Sequence, residues 1–422
     1  MSSAQCEWQK IRLRFLLKRT PTKEQRQKLL ESPQVSFLPM EAISEQGEID
    51  LSVIRDQDDV KTGYTLFFDD DVIIAKITPC FENGKGALVK GLLNSVGYGT
   101  TELYVLSPGV KIDGKFLYYI TVSEPFRKIG EANMTGAAGQ KRVPEDFVRN
   151  YRIGLPSLPE QQAIVDCLDL KIARLDDLVA AKERLLELLK EKRKALITHA
   201  VTRGLDPHIT LFDSGVDWIG NCPEHWTIAP VKHGFDLIGS GTTPPTENSQ
   251  FYGGNVYWVT TSELRENIIF STNQTITQEA LSEFTSLKVY PAGTLLFAMY
   301  GATIGRVAIL GTPATVNQAV CSLAGSNLFD PWYAFYSFQA SRDYLCQLAT
   351  GGGQPNLNSE KVREHRLPCP PVNEQKAIVA YIDRETEKID SLHAATENTI
   401  ALLKERREAL IAAAVTGKIK VG

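Results

Sequence analysis

The chain has 422 residues, of which 43% are hydrophobic and 23% are charged, and its formal net charge is −4 at pH 7. These values exclude an intrinsically disordered chain, and they exclude a protein that coats nucleic acid through bulk positive charge. Any DNA binding must therefore use localised basic patches.

The cysteines and the apolar segments bear on compartment and cofactors. The seven cysteines are scattered and never form a C-x-x-C pair, so neither a disulfide framework nor a zinc site is indicated. Residues 1–10 lack the charged lead and apolar core of a signal peptide, and no window approaches the roughly 18 apolar residues of a membrane span. We therefore expect a cytoplasmic protein without a metal site.

The first feature in chain order is a local basic excess between residues 10 and 28. It is either a phosphate-binding patch or an ordinary solvated face, and the sequence leaves both open. Its members are Lys10, Arg12, Arg14, Lys18, Arg19, Lys23, Arg26 and Lys28.

Strand signals follow in a first globular region, 1–155. Residues 72–77 and 87–89 are apolar runs rich in β-branched side chains and separated by a turn that contains glycine, so we predict two strands. Residues 116–122 alone would be assigned to a strand. The corresponding part of the second half opens with Asp330 and Pro331, a helix-start signal, which favours a helix in both places.

A long helix is predicted over residues 156–204. It opens on a capping-box pattern, Ser157 to Glu160, carries apolar residues in a strict 4-3 spacing, and ends near Gly204. Residues 205–222 are rich in Gly and Pro with few periodic apolar positions, so we interpret them as a linker.

The second half repeats the first. Residues 139–202 and 353–416 align without a gap at a constant offset of 214, and 22 of the 43 positions from 160 to 202 are identical in the two copies. Residues 294–299 and 307–310 repeat the strand signals of the first half. A second globular region is therefore predicted at 223–368 and a second long helix at 369–422.

The two long helices are expected to pair with each other. A helix of this length spans roughly 65 Å and needs a partner, and duplicated units related by a two-fold axis present the same face to each other. The predicted fold is α+β: two globular α/β domains in tandem, separated and joined by two long antiparallel helices that form a pseudo-two-fold symmetric coiled coil. The predicted seam consists of Leu168, Ile172, Leu175, Leu186, Leu189, Leu196, Ile382, Ile389, Ile400, Leu403 and Leu410.

The openings of both helices carry a family resemblance. Residues 155–165 read LPSLPEQQAIV and residues 370–379 read PPVNEQKAIV, while the linker contains DSGVDWIG at 213–220, followed by PEHW at 223–226. With the tandem order of the regions, these motifs make the whole chain resemble the specificity subunit of type I restriction-modification systems.

The resemblance implies that each globular region is a target recognition domain that reads one half of an asymmetric bipartite site on double-stranded DNA. The helical pair would set the spacer and dock methyltransferase (M) subunits, two being expected, and two restriction/translocase (R) subunits would join through the complex. This chain would not be an enzyme, whereas the complex would be an adenine-DNA methyltransferase and an ATP-dependent endonuclease. S-adenosylmethionine, ATP and Mg²⁺ are expected on the partner subunits, none is expected in this chain, and no membrane association is expected.

Candidate DNA contacts come from the basic segment, from the two glycine-rich loops before the helices, and from polar residues near strand ends. Glycine lets the backbone approach a ligand closely, and Gln, Asn, Lys and Arg side chains read bases or hold phosphates. A structural turn would explain most of these residues equally well. The candidates are Lys18, Arg19, Lys76, Thr78, Lys85, Gln140, Lys141, Arg142, Ser240, Thr242, Thr243, Thr261, Tyr300, Arg306, Gln354 and Asn356.

The enzyme motifs that the sequence partly matches are incomplete. Residues 109–116 partly match a phosphate-binding loop, but they end in Phe116 where Ser or Thr must ligate magnesium. No Asn or Asp precedes Pro-Pro-Tyr or Pro-Pro-Phe, and no H-E-x-x-H or G-x-S-x-G pattern occurs. The alternative to DNA recognition is a coiled-coil protein-interaction scaffold without DNA specificity, and a weaker one is an enzyme with an unrecognised site.

Overall fold

A computed structural model of the chain describes residues 8–137, 139–349 and 356–419. The chain divides into two compact units. The first unit holds the described residues up to Glu183 together with those from Glu397 onward, and the second unit is Arg184–Thr396. The division falls inside both long helices. Each unit therefore contains a globular part, the first half of the helix that follows it and the second half of the other helix.

The globular part of the first unit and the helix that follows it contain these elements. The strands are β1 (Gln9–Arg12), β2 (Gln34–Leu38), β3 (Ile54–Asp56), β4 (Thr65–Phe68), β5 (Val72–Ala75), β6 (Gly86–Leu88), β7 (Val96–Gly99), β8 (Leu103–Leu106) and β9 (Arg152–Leu155). The helices are α1 (Lys23–Glu31), α2 (Gln57–Val60), α3 (Gly114–Val122), α4 (Glu124–Ala132), α5 (Glu145–Asn150) and the long α6 (Leu158–Arg203). Short 3-10 helices lie at Leu13–Phe15, Met40–Ala42 and Leu93–Ser95.

The remainder of the chain contains these elements. The strands are β10 (Leu211–Asp213), β11 (Asn221–Pro223), β12 (Thr227–Pro230), β13 (Leu237–Ser240), β14 (Tyr252–Val259), β15 (Asn267–Ile269), β16 (Thr275–Ile276), β17 (Leu295–Ala298), β18 (Val307–Leu310), β19 (Thr315–Val316), β20 (Val320–Ala324) and β21 (Arg366–Cys369). The helices are α7 (Val231–Gly234), α8 (Gln278–Glu283), α9 (Pro331–Ala340), α10 (Arg342–Gln347), α11 (Ser359–Glu364) and the long α12 (Val372–Val415). Short 3-10 helices lie at Ser249–Phe251, Thr261–Glu263 and Gly301–Thr303.

The sheets of the two units share a common centre. In the first unit β5 lies between β6 and β8 in an antiparallel sheet, and in the second β17 lies between β18 and β20 in the same way. The second sheet continues to β13 on one side and to β15 on the other, where β15 pairs in parallel with β18. The pair of β1 with β9 corresponds to that of β12 with β21. Further sheets have the strand orders β3-β2-β7-β4, β16-β14-β19 and β10-β11.

The predicted secondary structure near these central sheets is confirmed. Strands β5, β6, β17 and β18 lie at the predicted apolar runs, and their β5 and β17 residues are all buried. Residues 116–122 lie in α3, whose first turn is capped by the Asp113 carboxylate, just as Asp330 caps α9. The α+β prediction with two globular parts and two long helices is also confirmed.

Residues 205–222 differ from the predicted linker. They contain β10 and the start of β11, which pair as an antiparallel hairpin. Ile219 and Cys222 are buried in the main core of the second unit, and Val216 and Trp218 pack against that core. The segment therefore belongs to the second unit, because Val216, Trp218, Ile219 and Cys222 lie at positions that face the core. A search for helical or strand periodicity misses so short a pattern.

Within each unit the two helix segments run antiparallel. In the first unit Arg407 contacts Asp176 at 3.1 Å, and Lys404 contacts Glu183 at 3.3 Å. In the second unit Arg193 contacts Asp390 at 3.3 Å. Because Asp176 and Asp390, like Arg193 and Arg407, are related by the offset of 214, the ion pair is formed once in each unit with the partners exchanged.

The predicted seam residues are all buried or half-buried. The helices also bury residues outside the seam. Ile164 and Val165 join the core beneath α3 in the first unit, and Ile197 and Val201 join the core of the second. The helix segments therefore pack against the globular part of their unit as well as against each other.

A buried glutamine fixes the start of each long helix. The Gln161 amide donates to the carbonyls of Lys111 and Pro156, both at 3.0 Å, and accepts the Asp113 N–H at 2.8 Å. In the second unit Gln375 makes the equivalent bonds to Leu328, Pro370 and Asp330, at 2.8, 2.9 and 2.7 Å. Both side chains are fully buried. We call this arrangement the glutamine clamp.

Further contacts are repeated beside the clamp. The indole N–H of Trp8 donates to Glu160 at 3.1 Å, and that of Trp226 donates to Glu374 at the same distance. The hydroxyl of Tyr119 donates to Asp169, and that of Tyr336 donates to Asp383. The internal repeat thus extends from sequence to individual hydrogen bonds.

Replacing either clamp glutamine should destabilise its own unit. Gln375→Ala removes the amide that pairs with two carbonyls and one N–H at a fully buried position, so we expect the second unit to lose about 2–3 kcal/mol of its free energy of unfolding. Gln161→Ala should do the same to the first unit. Urea unfolding followed by hydrogen exchange reports each unit separately. The control is Gln162→Ala at an exposed neighbouring position, which should change stability by less than about 0.5 kcal/mol. A clamp variant no less stable than this control would contradict the assignment.

Buried His365 makes the second unit sensitive to pH. Its Nε2 lies 2.9 Å from the Ser341 Oγ, its ring stacks on Trp218, and burial lowers its pKa from 6.5 to about 3. The neutral ring is favoured in the folded state and the unfolded chain binds the proton, so the stabilisation is complete above pH 6.5 and is lost as the pH falls towards 3. The residue at the same repeat position in the first unit is Tyr151, which stays neutral over this range because burial raises its pKa.

We expect the free energy of unfolding of the second unit to fall by up to about 1.4 kcal/mol per pH unit between pH 6.5 and about 5, while that of the first unit changes less. Unfolding at a series of pH values measures this difference. His365→Gln should remove the extra pH dependence. If the free energy of unfolding depended equally on pH in the two units of the unsubstituted chain, His365 would not be the source of the pH dependence.

Candidate nucleic-acid interface

In the first unit the predicted glycine-rich loop is fixed to the end of β5. Thr135 and Arg142 form a β-bridge that closes the loop, and Arg142 forms a second bridge with Ile77. The Thr78 N–H donates to the Lys141 carbonyl at 3.0 Å. Gly136 has a φ of 126°, and a Cβ there would lie 2.9 Å from the Gln140 carbonyl oxygen, so the turn requires glycine.

This arrangement brings five predicted residues together: Lys76, Thr78, Gln140, Lys141 and Arg142. The Gln140 and Lys141 side chains are exposed, and the Lys76 Nζ lies 5.3 Å from the centre of the Tyr104 ring. Two exposed or half-buried cations beside a backbone turn form a surface suited to phosphate groups.

Arg142 has a different role in this loop. Its guanidinium makes two hydrogen bonds to Glu102, at 2.9 and 2.8 Å, and hydrogen bonding to Arg142 holds the pKa of that carboxyl below its usual range. The ion pair ties the loop to the turn before β8. Arg142 is thus a residue that orders the loop, and Lys76 and Lys141 are its better candidates for phosphate contact.

The other basic candidates of the first unit lie apart from this loop. Lys18 hydrogen-bonds through its backbone to Ser107, beyond the far end of β8, and lines a cavity with Asp69, Asp70 and Asp71. Neighbouring carboxylates offset its charge, which weakens it as a phosphate ligand. Arg19 is exposed beside it, and Lys85 is half-buried with its ammonium group donating to the Met40 carbonyl at 3.2 Å.

In the second unit the predicted residues converge around the end of β17. Tyr300 forms a β-bridge with Asn356, and the Leu357 N–H donates to the Met299 carbonyl at 2.9 Å. Gln354 lies outside the described residues. Asn356 therefore occupies the place that Arg142 has in the first unit, at the same offset of 214. Equivalent positions of the two surfaces carry different chemistry.

The segment of residues 240–243 borders the same surface. Ser240 pairs with Cys321 at the end of β13, the Thr242 carbonyl accepts the Trp258 indole N–H at 3.2 Å, and the Thr243 hydroxyl donates to Gln318 at 2.6 Å. Thr261 lies in the 3-10 helix after β14, and Arg306 lies 3.7 Å from Glu266. Arg306 thus faces a carboxylate, as Arg142 does, but at a longer distance than the two hydrogen bonds between Arg142 and Glu102.

Gln318 is a residue that sequence reasoning missed. It is exposed in the turn between β19 and β20, next to Ala319, whose carbonyl accepts the Met299 N–H at 2.9 Å. The available signal was the polar pair at 317–318 between two short apolar runs, which indicates a turn. In the first unit the corresponding turn before β8 carries Thr101.

The described residues show neither a metal centre nor a membrane-spanning element. Among them no group of three or more His, Cys, Asp or Glu side chains is placed to hold a metal ion together. In the same part of the chain no helix is both long and apolar enough to cross a membrane.

The chain is similar in sequence to known proteins. The family model for the type I restriction modification DNA specificity domain matches residues 7–189 and 223–402. The EcoAI specificity subunit of Escherichia coli is 47% identical over 138 residues, which are 32% of this chain and 23% of that protein. The putative MjaX specificity subunit of Methanocaldococcus jannaschii is 21% identical over 392 residues, 90% of this chain and 86% of that one.

Two solved structures share the fold. A chain from a structure of a type I restriction-modification system aligns with a TM-score of 0.78 and 18% identity, covering 98% of both chains. The HsdS subunit from Thermoanaerobacter tengcongensis aligns with a TM-score of 0.61 and 18% identity, covering 98% of this chain and 97% of that one. At such identities the likeness shows the fold alone.

The fold and the paired loop surfaces define an internally duplicated protein in which two long helices each serve both units. This chain belongs to the type I restriction modification DNA specificity domain family, with one copy of the domain in each half. The expected family is confirmed. The match to the EcoAI subunit spans less than a quarter of that relative's length, so activity and partners are taken up below as proposals.

Proposed function

We propose that this chain is the DNA sequence-specificity subunit of a type I restriction-modification complex and that it recognises an asymmetric, two-part target. The observation that carries the proposal is the repeated loop surface: each unit fixes a loop to the end of its central strand, at Arg142 in the first unit and at Asn356 in the second. Since the exposed side chains differ, the two units read different half-sites. The length of the helices sets the gap between the half-sites.

In this proposal the chain itself carries no catalysis. Two methyltransferase subunits dock on the helices, and two restriction/translocase subunits join through the complex. S-adenosylmethionine, ATP and Mg²⁺ act on those partners. The chain supplies target choice, through cations that hold phosphates and polar groups that read base edges.

The experiment that tests this proposal is selection of random DNA duplexes by the chain together with its methyltransferase partner, followed by footprinting. We expect two protected patches separated by an invariant gap. Inserting one heptad after Glu183 and another after Glu397, at equivalent points, lengthens both helices by roughly 10 Å and keeps the seam close to register. The gap should then grow by about three base pairs while both half-site sequences stay the same.

The control inserts seven residues at Gly215, where a Cβ would meet no atom within 4 Å, and should leave the gap unchanged. A single protected patch, or none at low salt, would refute recognition of a two-part site. If the gap stayed fixed after the heptad insertions, the helices would not be setting it.

Removing the two loop cations should weaken DNA binding without changing which sequence is bound. Each phosphate contact releases condensed counterions, so the slope of log affinity against log salt should fall by about 1 for Lys76→Ala and again for Lys141→Ala. Titrations of a selected duplex at several salt concentrations measure the slope. Lys61→Ala is the matched control, because Lys61 is exposed in the same unit and pairs with Asp58. Equal effects of all three substitutions would exclude a specific role for the loop.

A further inference from the structure

The exposed side chain of Gln318 lies on a rigid turn. The Asn317 N–H donates to the Val259 carbonyl at 3.0 Å, and the Asn317 carbonyl accepts the N–H groups of Gly241 and Val320, both at 3.3 Å. With the bond from Met299 to Ala319, the backbone on both sides of Gln318 is held. An exposed side chain on a fixed backbone is the arrangement that a specific contact requires.

The orientation of the Gln318 amide is also set. The Thr243 hydroxyl donates to its Oε1 at 2.6 Å, while within the described residues its amide nitrogen has no hydrogen-bond partner. A carbonyl oxygen has two lone pairs, so Oε1 can accept a second bond while the amide nitrogen donates. The side chain therefore presents one acceptor and one donor, side by side, to an incoming group.

Glycine at position 241 is needed for this contact. A Cβ at Gly241 would lie 1.7 Å from the Val316 carbonyl oxygen, so any other residue would push the segment of residues 240–243 away from β19. That segment carries Thr243. The close approach of two backbones thus places the hydroxyl that orients Gln318.

A neutral donor and acceptor in one plane match the edge of one base in the major groove. Adenine presents the N7 acceptor and the N6 amino donor side by side, and a glutamine amide bonds to both. Phosphate offers only acceptors and would leave Oε1 facing negative charge. The chemistry therefore favours a base edge over the DNA backbone.

We propose that Gln318 is a specificity-determining residue of the second unit, that it reads an adenine in the half-site of that unit, and that Thr243 is its positioning residue. This inference rests on the proposed function. In the first unit the corresponding residue is Thr101, whose shorter side chain lacks the paired amide groups, so the contact belongs to the second half-site alone.

The test is selection of random duplexes by the full chain with its methyltransferase partner, comparing the unsubstituted chain with single variants. Gln318→Ala should lower discrimination at one adenine position of one half-site by on the order of 10- to 100-fold, with the other half-site unchanged. Gln318→Arg should change the preferred base at that position from adenine to guanine, because arginine pairs with guanine O6 and N7.

Thr243→Val, which removes the hydroxyl donor, should weaken the discrimination at this adenine position. Thr243→Ser, which keeps the hydroxyl, should retain it. Gln278→Ala, at an exposed glutamine of the same unit, should change no position. Thermal unfolding of each variant shows whether it is folded.

Three results would overturn the inference. Unchanged selection by Gln318→Ala would remove Gln318 from base reading. A loss of affinity that is equal for all sequences and lowers the salt slope would assign it to phosphate. If the unsubstituted chain selects no two-part sequence, the proposed function itself fails. If it selects a two-part sequence that no Gln318 variant alters, only the inference about Gln318 fails.

Discussion

The glutamine clamp is the constraint on which the rest of each unit depends. A planar amide offers its donors and its acceptor in a fixed arrangement, so the three bonds of Gln161 hold the segment entering α6 and the segment entering α3 in one relation. The Gln161 side chain is fully buried, and displacement of either segment would break its hydrogen bonds to the backbone. The direction in which the helix leaves the globular part is thereby set in its first turn. The hydrogen bonds of Glu160 and Asp169 extend the attachment over the following turns.

The same position also receives the end of the other helix. A Cβ on Gly417 would lie 3.2 Å from the Trp8 ring, and one on Gly204 would lie 3.1 Å from the Trp226 ring. Both glycines have a φ of 71°, a conformation that side chains disfavour, so they end the helix and let the indole approach. Each tryptophan therefore contacts the start of one helix and the end of the other. Each unit contains residues that lie far apart in the chain, because it includes the start of one long helix and the end of the other. The compact units therefore do not follow the order of the regions along the sequence.

The sequence predicted those features that repeat or that have a strong period. The internal repeat predicted the long helices, supported the central strands and assigned residues 116–122 to a helix, because a signal that is ambiguous in one copy was clear in the other. It did not predict the clamp, since the repeated pattern that contains Gln161 and Gln375 reveals nothing of their partners at Lys111 and Leu328. Gln318 was missed for a related reason: Thr243, which bonds to it, is 75 residues away in the chain and approaches it through the pairing of β13 with β20. The basic run that contains Lys18 likewise does not reveal that this residue lines a cavity with Asp69, Asp70 and Asp71.

The pattern of sequence identity between the two halves depends on whether side chains or backbone groups make the hydrogen bonds that stabilise the fold. Where side chains hold the fold, the halves agree: Glu160 with Glu374, Gln161 with Gln375 and Asp169 with Asp383. Where the backbone holds it, they differ, because main-chain bonds such as those from Thr78 to Lys141 and from Leu357 to Met299 place no demand on the exposed side chains. Thr101 and Gln318 can therefore diverge without cost to the frame beneath them. A duplicated fold that fixes its loops through the backbone and its helices through side chains can change what each unit contacts while it keeps the helices in place.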